Sequence, residues 1–286
     1  MRQEDSPPLH MENKKKREIL LAVAAVFVSL FLYRFFGRMV KGLVKDEFLG
    51  NMLAQAVFAL FVLAAVLLLK KTEIFRSDLN ALINGWFSAG FLLFLILFLF
   101  CAGTLPSANM TVTTVQILYF AVQILLIGFC EETLFRGLVQ NSLHAYFGED
   151  NRKHVLLAVF IAGAVFGLTH LTNGLQPGVD LFAAACQATV TAFMGAYLGA
   201  VYYRTGKNLW YLMLLHGLYD GGALIVSGAL SGNNMVSIIG ASGSAGVQGV
   251  LIWVGVYLLL TLFLLRKDKI ASFLKEPEFR RSEPEI

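Results

Sequence analysis

The chain has 286 residues, of which 57% are hydrophobic and only 15% are charged. An average soluble domain carries about 25% charged residues, so a single globular core cannot hold this excess of apolar side chains. The net charge of +4 is modest and no basic run alternates with aromatic residues, which excludes nucleic acid as an expected partner.

Apolar runs long enough to cross a bilayer recur along the chain and predict an all-α, polytopic membrane protein. A spanning helix needs about 20 mostly apolar residues, whereas a transmembrane strand needs only about 10 alternating ones. Eight spans are predicted, at 18–36, 48–69, 82–103, 114–140, 155–171, 181–203, 209–227 and 246–265. The lipid bilayer is therefore the first expected partner of the chain.

The spans form one membrane-embedded domain, predicted over residues 18–266, with a polar segment at each end. Residues 1–17 end in KKKR, and no small-residue cleavage pattern follows them. The first apolar run is therefore expected to persist as a helix rather than to be removed as a signal peptide. The N-terminal arm and the charged tail, 267–286, are predicted to be disordered.

The positions of Lys and Arg in the connections predict cytoplasmic N and C termini for this integral membrane protein. The membrane is expected to be a bacterial or archaeal plasma membrane. The predicted outer loops, 104–113, 172–180 and 228–245, contain no Lys or Arg. One predicted outer segment, 34–47, disagrees because it contains four cations. It is expected to be either an exposed loop or a helix lying on the membrane surface.

Ionisable side chains inside the predicted spans are few, and such residues mark function by default. They are Glu131, Glu132 and Arg136 on the fourth span, His170 on the fifth, and His216 and Asp220 on the seventh. Residues four apart share a helix face, so Glu132 can pair with Arg136, and His216 with Asp220. Three helices thus each present a short polar cluster, and the clusters are predicted to converge.

These residue types fit hydrolysis of an amide bond. A carboxylate in a water-poor cavity can act as a general base toward water, which is the role predicted for Glu131. His170 and His216 would polarise the carbonyl group, and Asp220 would fix the tautomer of His216. One Glu and two His are also zinc ligand types, so Glu131, His170 and His216 would be the ligands if a divalent metal takes part. No cofactor follows with certainty from the sequence.

Three motifs carry a resemblance to a known family. EETLFR resembles an EExxxR motif, FGLTH an FxxxH motif, and HGLYD a final HxxxN or HxxxD motif. Together, in this order and on separate spans, they resemble the CPBP intramembrane proteases. That family includes the type II CAAX prenyl endopeptidases of the Rce1 type and the bacterial Abi proteins.

The resemblance implies a peptidase site buried in the membrane. Glu131 would activate water, Glu132 and Arg136 would support it, and His170 and His216 would polarise the substrate or bind a metal. Phe166, which opens the FxxxH motif, is expected to contact the substrate. Asp220 stands where many family members have Asn, which favours a role in orienting His216 over a role in donating to an oxyanion.

The expected function is therefore that of an endopeptidase acting on a membrane-associated or lipidated peptide or protein. Two other functions use the same residue types. A proton-coupled transporter also places Glu and His in mid-membrane, but it would be expected to show inverted repeats and broken helices, which the sequence does not. A scaffold or immunity-type protein would keep the site and act by binding a partner.

Overall fold

The computed structural model describes residues 9–76, 112–226, 228, 230 and 246–273. Its helices are α1 (Leu9–Leu43), α2 (Glu47–Leu68), α3 (Thr114–Glu132), α4 (Asn141–Phe147), α5 (Arg152–Leu171), α6 (Leu181–Arg204), α7 (Leu209–Val226), α8 (Gly246–Leu264) and α9 (Lys267–Phe273). A π-helical segment, Thr133–Gln140, joins α3 to α4 without a break. No β-strand occurs among these residues, which confirms the all-α prediction.

Six of the described helical runs are long and apolar enough to cross a membrane. They are His10–Leu43, Glu47–Leu68, Thr114–Phe147, Arg152–Leu175, Leu181–Arg204 and Gly246–Leu264. These runs correspond to the first, second, fourth, fifth, sixth and eighth predicted spans. The predicted seventh span forms α7, which packs against α3. The predicted third span, 82–103, and most of the loops at 104–113 and 228–245 lie outside the described residues, and the orientation of the termini stays a prediction.

The first helix is longer at both ends than the sequence predicted. It begins at Leu9, so residues 9–17 of the arm are helical, and the tail likewise begins with α9. At its other end α1 continues to Leu43. The exposed loop that was one expectation for segment 34–47 is therefore wrong for residues 34–43, which are helical, and a location of this part on the membrane surface stays a prediction. Lys, Arg and Glu have high helix propensity, so polar residues do not end a helix where the apolar run ends.

The length of α1 explains how its charged ends are accommodated. Its 35 residues would extend about 52 Å at 1.5 Å per residue, whereas the hydrocarbon core of a bilayer is about 30 Å thick. One cation near the C-terminal end is also tied to the bundle. Arg34 donates to the Thr172 carbonyl at 3.0 Å, to the Thr172 hydroxyl at 2.5 Å and to Asn173 Oδ1 at 3.3 Å, just beyond α5.

Polar side chains cap the N-termini of four helices and so determine where these helices begin. Asp46 caps α2, Asn151 caps α5 and Asp180 caps α6, each by accepting a backbone N–H three residues later. Thr113 and Gln116 form a capping box at the start of α3. Gln116 Nε2 also donates to Asp46 Oδ2 at 2.8 Å, which holds the starts of α2 and α3 together.

Glycines allow the closest helix crossings in the bundle. A Cβ on Gly163 of α5 would lie 2.5 Å from the Ala192 carbonyl oxygen of α6. On α3, a Cβ on Gly128 would lie 2.1 Å from the carbonyl oxygen of Met213 on α7. Such small residues let backbones approach closely where lipid gives no hydrophobic driving force for helix association. These crossings bring the polar clusters of α3, α5 and α7 into one region.

The α3–α7 crossing is tested by adding a single methyl group. We expect Gly128→Ala to lower the free energy of unfolding by about 1–3 kcal/mol or more, because the methyl would collide with backbone that cannot rotate away. Gly255→Ala on α8 is the matched control, because no atom lies within 4 Å of its added Cβ. The control should be neutral or stabilising by up to about 1 kcal/mol. Thermal unfolding in detergent measures both, and equal behaviour of the two variants would contradict the crossing.

Candidate active site

The Glu132 carboxylate lies at the centre of a buried ionic cluster. Its Oε1 atom accepts from Arg136 Nη1 at 2.7 Å and from His216 Nδ1 at 2.5 Å. The side chains of Glu132 and His216 are 0% exposed and that of Arg136 is 1% exposed. The Arg136 guanidinium can only donate to this carboxylate, and we assign the hydrogen between Glu132 and His216 to Nδ1 of the imidazole.

Arg136 is held by three helices in addition to its own segment. Its Nη2 donates to the Gly195 carbonyl of α6 at 3.0 Å. Its guanidinium carbon lies 5.0 Å from the ring centroid of Phe166 on α5, a cation–π contact. Through Glu132 it is linked to His216 on α7. The guanidinium therefore finds partners for its charge in an interior where an unpaired charge would cost several kcal/mol.

The backbone that carries Arg136 is π-helical. The wider turn begins at Thr133, immediately after the two glutamates, and ends at Gln140. Its C-terminal cap shows the longer spacing, because the N–H of Asn141 bonds to the Arg136 carbonyl five residues back. Single-turn π segments of this kind occur frequently at functional sites. The sequence predicted one uninterrupted helix over 114–140 and gave no sign of this change.

Sequence reasoning also missed two residues that support the cluster, Gln140 and Gly195. Gln140 lies four residues after Arg136 and is 0% exposed. It donates through Nε2 to the Gly199 carbonyl at 3.0 Å, just as Arg136 donates to that of Gly195. Polar residues recur every four positions at 132, 136 and 140, and glycines recur with the same spacing at 195 and 199. This shared spacing is the sequence signal that could have predicted the two contacts.

The second ring nitrogen of His216 faces two further carboxylates. Its Nε2 atom lies 3.4 Å from Asp220 Oδ2 and 3.6 Å from Glu131 Oε2. The Nε2 atom is buried and has no hydrogen-bond partner within the described part of the chain. The side chains of Glu131 and Asp220 are 22% and 26% exposed. This side of the cluster is therefore the side that water or a substrate can reach.

His170 approaches the cluster through Phe166. Its Nδ1 lies 3.0 Å from the Phe166 carbonyl oxygen and donates to it, which leaves Nε2 as the acceptor. The Phe166 ring is edge-on to both imidazoles, with centroids 4.6 Å from that of His170 and 5.9 Å from that of His216. Phe166 itself is only 1% exposed and lies between the two histidines, and its contact with a substrate stays a prediction.

The predicted convergence of three helices is observed, with two changes in the pairing. Glu132, and not Asp220, bonds the Nδ1 atom of His216. Among the described residues, Glu131, His216 and Asp220 have possible metal-ligand atoms within 4.8 Å of one another. His170 is not part of this group, and which residues would bind a metal stays a prediction. Both changes arise because the close α3–α7 crossing places His216 directly against the two glutamates.

Residues 113–222 match the model of a known family, described as type II CAAX prenyl endopeptidase Rce1-like. The matched segment begins at the capping box of α3 and contains all six ionisable residues of the predicted site. This match confirms the resemblance drawn from the three motifs, and the finer likeness to the bacterial Abi proteins stays a prediction. No curated protein matches the chain.

The two adjacent glutamates are expected to differ in their effect on stability. Glu132→Gln removes the charge that Arg136 and His216 share, so it should lower the free energy of unfolding by about 3–5 kcal/mol, as expected for breaking a buried ion pair. Glu131→Gln should change it by less than about 1 kcal/mol, because Glu131 is partly exposed and makes no hydrogen bond of comparable length with the residues that the structure describes. Chemical unfolding in detergent compares them, and similar losses would show that Glu132 is not the structural member.

Proposed function

We propose that the protein is an intramembrane endopeptidase that hydrolyses a peptide bond in a membrane-associated or lipidated peptide or protein. One observation carries the proposal, the contact between the partly exposed Glu131 carboxylate and Nε2 of His216. The other ring nitrogen of His216 is held by Glu132, which is buried and paired with Arg136. The family match suggests a CAAX-type protease of the membrane, and the apolar spans agree with that location.

In this proposal Glu131 is the general base. It takes a proton from a water molecule as the water oxygen attacks the carbonyl carbon of the scissile bond, and it then gives that proton to the leaving nitrogen. General bases of this kind contribute about 10²–10⁴-fold to rate. A base must lie where water can enter, and of the two adjacent glutamates only Glu131 has a partly exposed side chain.

His216 is proposed to stabilise the negative charge that develops on the carbonyl oxygen. Three carboxylates lie beside this imidazole, those of Glu131, Glu132 and Asp220. The cluster contains one guanidinium, that of Arg136, which pairs with Glu132. That arrangement leaves an excess of negative charge, which a positive charge at Nε2 of His216 would reduce. With Nδ1 held by Glu132, a proton on Nε2 points toward the reachable side, where an oxyanion can accept from it.

The same residues fit a divalent metal ion such as zinc. Glu131, His216 and Asp220 offer two carboxylates and one imidazole nitrogen, which are ligand types that zinc accepts. Zinc–ligand bonds of about 2.0–2.1 Å in a tetrahedral arrangement separate the ligand atoms by about 3.3 Å. His216 Nε2 lies 3.4 and 3.6 Å from the two carboxylates and is otherwise without a hydrogen-bond partner in the described residues. A bound ion would supply Lewis-acid polarisation of water or of the carbonyl.

The function is tested by the cleavage of a labelled, membrane-anchored peptide by the purified protein in lipid vesicles. We expect Glu131→Gln to lower cleavage by about 10²–10⁴-fold, because the general base is lost, while the folded state persists. Glu73→Gln is the matched control, since Glu73 lies on the exposed 3₁₀ turn after α2 and should leave the rate unchanged.

Three results would contradict the proposed function. Cleavage that survives in Glu131→Gln would remove Glu131 from its role. A wild-type protein that cleaves no anchored peptide but dissipates a proton gradient across the vesicle would support a transporter. A wild-type protein that does neither, yet captures a membrane partner, would support a scaffold.

The metal site is tested by binding rather than by activity. We expect the wild-type protein to bind one Co²⁺ or Zn²⁺ per chain, measured by equilibrium dialysis and by the visible absorption of Co²⁺. Asp220→Asn should weaken binding at least about tenfold, since it replaces a charged ligand by a neutral one. His170→Gln is the control and should bind as tightly as wild type. Stronger dependence on His170 than on Asp220 would restore the ligand set predicted from sequence, and the absence of stoichiometric binding would leave the proton on His216 as the positive charge.

A further inference from the structure

A groove of about 490 Å³ lies at the other end of the bundle from the Arg34–Thr172 contacts. It is formed by the first turns of α5 and by the start of α9. Its lining residues are Arg152, Lys153, Leu156, Leu157, Phe160 and Lys267. Three of the six are cations and three are apolar, and the two kinds are separated along α5. None of them belongs to the candidate active site.

The cations of the groove have no carboxylate partner in the described parts of the chain. The neighbouring acids contact other side chains, because Asp150 lies 2.8 Å from His154 and Asp268 lies 3.1 Å from Arg266. Arg152 is anchored through Nε to the Leu265 carbonyl at 2.7 Å, a neutral acceptor. The groove therefore presents three cations that make no ion pair with the described residues.

The position of two of these cations is itself unfavourable without an anion. Arg152 and Lys153 are the first two residues of α5, and the first turn contains no acidic residue. The N-terminus of a helix carries a partial positive charge, which repels cations and attracts anions. An anion placed here would be attracted by the helix end and by the side chains together.

The apolar half of the groove continues from the cations into the membrane-spanning part of α5. Leu156 lies four residues, or about 6 Å, beyond Arg152, and Phe160 lies about 12 Å beyond it. Leu157 is 40% exposed, and the Phe160 ring is packed against Phe193 of α6 with a centroid distance of 6.4 Å. A free phosphate would use only the charged end, whereas this wall has the length and chemistry to contact an acyl chain.

We propose that the groove binds one anionic phospholipid, with its phosphate between Arg152, Lys153 and Lys267 and an acyl chain along Leu156, Leu157 and Phe160. Basic pockets at the ends of membrane helices bind anionic headgroups, and each nearby cation strengthens the attraction. The site lies on the side for which the sequence predicts a cytoplasmic location. The bound lipid would bridge α5 to the α8–α9 turn, where Arg152 already holds Leu265. The proposal does not depend on the proposed peptidase function.

The test uses the full chain, purified in detergent and depleted of lipid, titrated with phosphatidylglycerol, phosphatidylcholine or inorganic phosphate. Retained lipid is counted by native mass spectrometry, and thermal unfolding is followed in parallel. We expect phosphatidylglycerol to bind at least about tenfold more tightly than phosphatidylcholine, since only the anionic headgroup gains from the three cations. Inorganic phosphate should compete weakly, because it leaves the apolar wall unused.

Charge reversal with a matched control locates the site. Lys153→Glu combined with Lys267→Glu should remove the preference for phosphatidylglycerol. The control is Lys14→Glu combined with Arg17→Glu, which makes the same change in charge at exposed positions of α1, near the same predicted membrane face. It should retain the preference. If the glutamate pair fails to fold, Lys153→Gln with Lys267→Gln makes the same comparison.

The apolar wall is tested separately by Leu157→Asn, which should weaken binding of phosphatidylglycerol but not of inorganic phosphate. Equal loss in the groove and control double variants would show a diffuse surface effect and overturn the site. A wild-type protein that does not distinguish phosphatidylglycerol from phosphatidylcholine would overturn it as well. Binding of inorganic phosphate as tight as that of the lipid would mean that the groove is a simple anion site.

Discussion

The sharing of one carboxylate by two partners is the constraint on which the centre of this structure depends. Glu132 accepts from both Arg136 and His216 in a place that water does not reach. Burying an ion pair costs free energy unless hydrogen bonds satisfy the remaining polar atoms. The pair can therefore exist only where the Gly195 carbonyl, the Phe166 ring and the imidazole are all present, and this requirement ties α5, α6 and α7 to the segment after α3.

Two features of the backbone follow from that requirement. A side chain as large as arginine can reach a carbonyl of a neighbouring helix only if no side chain covers it, and Gly195 and Gly199 leave their carbonyls uncovered on α6. A Cβ on Gly199 would lie 2.5 Å from Gln140 Oε1. The two donors to these carbonyls, Arg136 and Gln140, both belong to the π-helical segment Thr133–Gln140. The four-residue spacing of Gly195 and Gly199 is thus a spacing of two hydrogen-bond acceptors on α6.

The parts of the fold that could be predicted are those set by the bilayer itself. Helix lengths follow from its thickness, so the bounds of α2, α6 and α8 agree with the predicted spans to within one or two residues. The six ionisable residues could be found because a charge in an apolar run is conspicuous. Their partners could not, because the bond between His216 and Glu132 depends on how closely α7 crosses α3. The ends of α1 were missed for a different reason. They were predicted where the apolar run stops, but the charged residues beyond it also have high helix propensity and extend the helix.

The resembled motif accepts either Asn or Asp at the position of Asp220, and the choice between them changes the electrostatics of the site. With Asn at that position, the charges of Glu131, Glu132 and Arg136 would sum to one negative charge, and a proton on His216 would neutralise the cluster. Asp220 adds a negative charge 3.4 Å from Nε2 of His216. A single proton then no longer balances the cluster, whereas a divalent cation at Nε2 would. An aspartate at this position is therefore consistent with the divalent cation proposed for this site.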